Sequence, residues 1–212
     1  MPAFQGQCGP TATQDGQVNT ARITRDTSLA VQQSHGPLYE CVYRGNLFSL
    51  PTAAAGVTIT ATQTVAVTLA SPIVGIFNPA NSGVNAVVLY VDHNWASGTA
   101  GAGGLAFATS ICTVTAASGA GAVNLKTQAV GSSQCKTFTA AAATGQTAAP
   151  NIVRMLGGPS TGALAANSTQ YYQVFFEGGL IVPPGCLGMV LANAAGTSPV
   201  VLASLIWEET PV

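Results

Sequence analysis

The chain has 212 residues, six Lys/Arg, seven Asp/Glu, a net charge of −1 and 48% hydrophobic residues. Its charged fraction is 6%, against about 25% in an ordinary soluble domain, so it lacks the repulsion that keeps copies apart and much of its surface is expected to touch protein. So few basic residues make no cationic patch for nucleic acid, and the apolar runs are broken by Gly, Pro, Asn and Thr well short of the roughly 20 residues of a membrane-spanning helix.

The opening stretch MPAFQGQCGPTATQDGQ has neither a basic segment nor an apolar one of the kind that marks secretory signals, so the chain is expected to be made and kept in a cytosol. Residues 1–37, rich in Gln, Thr, Asp, Ser and Gly, show no sustained period of 2 or 3.6 and hold Asp15, Arg22, Arg25 and Asp26. They read as an extended N-terminal arm that cannot bury enough apolar surface to order itself alone. Arg22, Arg25 and Asp26 are its candidate polar contacts.

From residue 38 to 212 the texture is that of a β-domain. Leu38–Leu50 and Val57–Ala70 alternate as strands do, and Asn78–Gly83 (NPANSG) supplies a tight turn. Val84–Trp95 is apolar on both faces, as in a buried strand, Ser97–Gly104 (SGTAGAGG) reads as a loop, and Leu105–Thr115 as the next strand. Residues 116–149 are dominated by Ala, Gly, Ser, Thr and Gln; Val123, Leu125, Val130 and Phe138 are their anchors, room for one or two edge strands, and Ala140–Thr144 suits a helical turn. Asn151–Gly158 fits a short strand or helix. Gln170–Phe176, Cys186–Asn193 and Val200–Glu208 read as three strands joined at Pro183–Gly185 and at a hairpin tip over Ala195–Pro199. The last strand is apolar on both faces, which predicts a central or subunit-facing position. Eight or so strands without a long helix give an all-β fold, an antiparallel β-sandwich, most simply a jelly roll.

Chemistry is sparse. Two histidines and seven carboxylates offer little to acid–base catalysis. Asp92 and His93 are neighbours that a strand points to opposite faces, and His93 reads as a buried histidine bonded to backbone. Glu208 and Glu209 read as a solvated or subunit-facing pair. The five cysteines, Cys8, Cys41, Cys112, Cys135 and Cys186, have no zinc spacing and read as small buried hydrophobes; Cys112 and Cys135 are the pair to test for a bridge. GAGG (Gly101–Gly104) lacks the context of a dinucleotide site. No catalytic residue, cofactor or metal is expected, and the chain is not expected to be an enzyme. Trp95, Tyr171, Tyr172 and Trp207 offer rings on which a sugar could stack, although such residues more often serve core or interface. Trp207, Leu205 and Val201 are the candidates for subunit packing.

The C-terminal stretch GGLIVPPGCLGMVLANAAGTSPVVLASLIWEE resembles the closing segment of small virion proteins of tailed bacteriophages: a Pro–Gly turn, a short apolar strand, an Ala/Gly/Ser/Thr hairpin and a last strand ending in Trp-Glu-Glu. LYECVYRGNLFSL and IFNPANSGVNAVVLYVD look like their opening strands. The resemblance implies a jelly-roll protein of the virion, assembled in the host cytoplasm. Capsid decoration (cement) is the first role it suggests, with the receptor- or glycan-binding head of a fibre or baseplate as the alternative. It implies a homotrimer on the major capsid protein, the arm reaching along the shell, with no nucleic acid or membrane partner.

Overall fold

The computed structural model describes residues 36–59, 72–112, 121–140, 149–158, 162–163 and 170–212. Glu40–Val212 is one compact unit. A short helix, α1 (Tyr39–Arg44), leads into ten strands: β1 (Leu47–Pro51), β2 (Val57–Thr58), β3 (Pro72–Asn78), β4 (Val84–Ile111), β5 (Val123–Asn124), β6 (Lys136–Thr139), β7 (Asn151–Gly157), β8 (Gly162–Ala163), β9 (Gln170–Val182) and β10 (Cys186–Pro211).

The helix departs from the strand expected over Leu38–Leu50. Glu40 and Arg44 pair one turn apart at 2.7 Å. Gly45, at φ +80, then closes the helix: its N–H donates to Val42 O, and Asn46 N–H donates to Cys41 O. This double bond is the Schellman stop, and β1 starts only after it. Of the Val57–Ala70 run, β2 is the described strand and residues 60–70 lie outside the described residues.

Two long antiparallel strands organise everything else. β4 and β10 pair from Val84 opposite Pro211 to Ile111 opposite Cys186. The first half of β4 and the second half of β10 form the centre of one sheet, in the order β5-β1-β10-β4-β9. The remaining halves form the centre of a second, in the order β6-β3-β10-β4-β7. The product is a two-layer antiparallel β-sandwich whose layers share one ribbon. Between them lie Leu50, Ile73, Val74, Val88, Val91, Trp95, Leu105, Phe107, Val190, Val201, Leu205 and Trp207, all buried. Phe48 stacks on Trp207 at 5.8 Å. Phe77, Ala108, Phe138, Leu187, Met189 and Leu191 form a second buried cluster.

Two segments that read as turns lie inside these strands. Ser97–Gly104 and Ala195–Pro199 are neither a loop nor a hairpin tip but facing stretches of β4 and β10, where the ribbon passes between layers through several register shifts. The reason is steric. A Cβ on Gly98 would strike the Ser198 carbonyl, and one on Gly196 the Thr99 carbonyl; the two residues sit at φ +89 and +132. Glycine marks close backbone approach as readily as a loop.

True turns fall at Asn78–Gly83, where Ser82 N–H donates to Pro79 O at 3.0 Å, and at Pro183–Gly185, closed by Cys186 N–H to Pro183 O at 3.1 Å. Asn78 ties the two together, its buried Nδ2 donating to Val84 O at 2.8 Å and to Val182 O at 2.9 Å. In the polar middle, β5 and β6 are edge strands, one on each sheet, and most of the Ala140–Thr144 run lies outside the described residues.

Replacing Gly196 with Ala inserts a methyl into the β4 backbone and is expected to cost at least about 2 kcal/mol. Urea unfolding of the purified variant measures it.

Candidate functional site

Strand parity decides which of the expected site residues reach the surface. Val201, Leu205 and Trp207 point inward and are 0% exposed. They build the core of one chain, so a second copy cannot reach them, which corrects their assignment to a subunit interface. A strand apolar on both faces fits a central strand and a subunit-facing one equally well; here it is central. Arg22, Arg25 and Asp26 lie outside the described residues. Trp95, 1% exposed, is buried as well, so of the four rings offered for sugar stacking only Tyr171 and Tyr172 remain at the surface.

Glu209 is not a solvated or subunit-facing carboxylate. It is 6% exposed and accepts four hydrogen bonds, from Ser133 Oγ, Gln134 N, Cys135 N and Trp207 Nε1. This pins the 133–135 loop to the end of β10. Burial, then the Glu209 charge, pushes the Cys135 thiol up. Cys41, Cys135 and Cys186 are free thiols, and Cys112 and Cys135 sit in different core clusters.

His93 and Asp92 point to opposite faces. The His93 ring is 1% exposed, stacks on Tyr172 at 5.1 Å, and donates from Nε2 to Leu156 O at 3.0 Å. Its Nδ1 is buried without a partner. Desolvation lowers its pKa, opposed by the Leu156 hydrogen bond and the Asp92 charge.

Two surface features carry functional potential. The first is the open side of the sandwich. β7 pairs with β4, β9 pairs with β4, and among the described residues no strand lies beyond either. Ile152 (50% exposed), Met155 (62%), Phe175 (51%) and Ile181 (50%) flank these edges. The one basic group of the segment, Arg154, donates to Phe175 O at 2.7 Å and lies 5.2 Å from the Phe176 ring, clasping the two sheets together. Between Phe175 and Leu180 the ladder with β4 shifts register, and Glu177 and Gly178 take positive φ. This bulge breaks the β9 edge and hinders indiscriminate strand addition.

The second feature is a depression of about 230 Å³ on the outer face of the first sheet, lined by Pro51, Thr52, Asp92, Asn94, Tyr171, Leu202 and Ser204 among others. Two cross-strand rows build it: Pro51, Ser204 and Asp92, then Leu202, Asn94 and Tyr171. β1 stops at Pro51, and the ladder on that side of β10 resumes opposite Val201. Leu202 therefore lacks a paired neighbour there, and the surface dips. Asp92 accepts from Tyr171 Oη at 2.9 Å and from Ser204 Oγ at 3.3 Å. That hydrogen bond, more than the neighbouring charge, raises the Tyr171 pKa. The sequence offered Tyr171 as a ring for sugar stacking but did not mark the group, because its members come from four strands.

No family model, curated protein or solved structure matches the chain.

Two outcomes follow from these groups. Glu209→Ala strands buried donors and is expected to cost about 1–3 kcal/mol in chemical unfolding. For His93, the unfolded chain takes up a proton near pH 6.5, whereas the folded chain resists it until lower pH. Its contribution to stability is complete above about pH 6.5 and is lost as pH falls through the folded value. Unfolding curves between pH 7.5 and 5 are expected to show a steeper loss for the native chain than for His93→Gln.

Proposed function

We propose that the chain is a viral structural protein, a capsid decoration (cement) protein that binds the outer surface of a phage head as a homotrimer. On this reading its partners are further copies of itself and the major capsid protein, its place is the virion, and it is assembled in the host cytoplasm. The observation that carries the reading is the open side of the sandwich. Two edges flanked by Ile152, Met155, Phe175 and Ile181, in a chain that is 6% charged, suit contact with a second copy more than contact with water. The bulged β9 edge favours side-chain packing over strand pairing.

The finer parts of the reading are a jelly-roll order of strands and the role of residues 1–37 as an arm laid along the shell. A clamp of this kind stabilises a capsid by engaging several subunits at once, so that weak contacts reinforce one another through effective concentration. Apolar contacts also persist when salt screens ion pairs.

Light scattering coupled to sizing chromatography tests the assembly. A trimer is expected both at low salt and near 1 M salt, and a monomer at both would overturn the proposal. Met155→Glu is expected to release folded monomers, whereas Trp207→Ala is expected to lower stability by about 3–5 kcal/mol through loss of core packing. Removing residues 1–37 is expected to leave the trimer intact and abolish binding to heads.

A further inference from the structure

We propose that the depression around Asp92 is a binding site for one ring of a neutral, hydroxyl-rich ligand, a pyranose sugar. The inference rests on the depression alone and is independent of the assembly proposed above. Its volume of about 230 Å³ lies below the roughly 300–1,000 Å³ of drug-sized pockets, which fits a single ring. The hydrogen-bonding groups it offers are chiefly acceptors. Each Asp92 oxygen already takes one hydroxyl, from Tyr171 or Ser204, and an ionised carboxylate oxygen accommodates about two donors, so each keeps one open position. Two open positions on one carboxylate match a pair of adjacent hydroxyls. Asn94 Oδ1, in the neighbouring row, is buried with no partner. A buried acceptor left unsatisfied is costly; Oδ1 is closed off from solvent, and a ligand hydroxyl would repay that cost on an outward turn of the Asn94 side chain, which lines the depression.

The remaining walls are apolar. Leu202 and Pro51 line the depression, and Tyr171, 60% exposed, stands beside it with its hydroxyl anchored on Asp92. An anchored aromatic ring beside an apolar floor accommodates the C–H face of a sugar, while the carboxylate and amide take its hydroxyls. No Lys or Arg lines the site, which disfavours an anionic ligand. Among the described residues there is no group of three His, Cys, Asp or Glu side chains to hold a metal ion.

Saturation-transfer NMR on the full chain, with a panel of methyl pyranosides and with cyclohexylamine as a cationic ring of similar size, tests the assignment. At least one pyranoside is expected to bind with millimolar affinity and to receive saturation on its ring protons. Asp92→Ala and Asn94→Ala are each expected to weaken binding about tenfold or more, with circular dichroism confirming the fold. Tyr171→Ala, at an exposed position, gives a second reading of the same loss should either of the other variants fold poorly. No transfer to any pyranoside would overturn the proposal. So would pyranoside binding that all three variants leave unchanged, or binding of cyclohexylamine alone, which would make Asp92 a cation site.

Discussion

Close backbone approach between β4 and β10 is the constraint on which the rest depends. Their pairing runs from Val84 opposite Pro211 to Ile111 opposite Cys186, and each half of the ribbon supplies the two central strands of one layer. The layers are thus covalently the same pair of strands, and the core between them is sealed by residues such as Trp95 and Trp207 from one half of the ribbon and Phe107 and Val190 from the other. The passage works because Gly98 and Gly196 have no side chain where a carbonyl from the opposite strand must lie. An ordinary sandwich joins its sheets through loops; here the join is itself a strand pair that continues through the bend, interrupted at its register shifts.

This join also sets what the surface can offer. Because β4 and β10 occupy the centre of both layers, the flanking strands fall at the edges: β5 and β6 on one side, β7 and β9 on the other. The latter side carries Ile152, Met155, Phe175 and Ile181 at its rim and spends its one cation, Arg154, on holding the two edges together. The depression around Asp92 has the same origin, since four aligned strands bring Pro51, Asp92, Asn94, Tyr171, Leu202 and Ser204 into two adjacent rows.

What was legible in the sequence follows from which signals are unambiguous. Alternation and β-branched runs predicted an all-β sandwich, and the turns at Asn78–Gly83 and Pro183–Gly185 were readable because Pro and Gly sit at positions where those turns require them. The polar middle yielded its edge strands through Val123 and Phe138. Ser97–Gly104 was not readable, because glycine serves equally in a loop and in a crowded strand crossing. Trp207, Leu205 and Val201 were misplaced because two-sided apolarity does not say whether the second face meets the same chain or another. Glu209 looked exposed beside Glu208, yet its partners Ser133, Gln134 and Cys135 come from a segment more than seventy residues away in sequence. The Asp92 depression was invisible for the same reason.

The shared ribbon has a kinetic side as well. Every central pairing in the molecule joins residues of β4 to residues of β10 that are synthesised long afterwards, so closure of the core requires a large loop to be brought together. β1, β3, β7 and β9 all pair with one of these two strands, and β1 and β3 otherwise pair with the edge strands β5 and β6, so neither half of the sandwich is complete without β10. Folding is therefore expected to be late and nearly all-or-none. During synthesis, β4 has β7 and β9 to pair with along one side, but the side that meets β10 stays open until β10 has emerged, which places the chain's greatest exposure to misassociation on the ribosome rather than in its finished state.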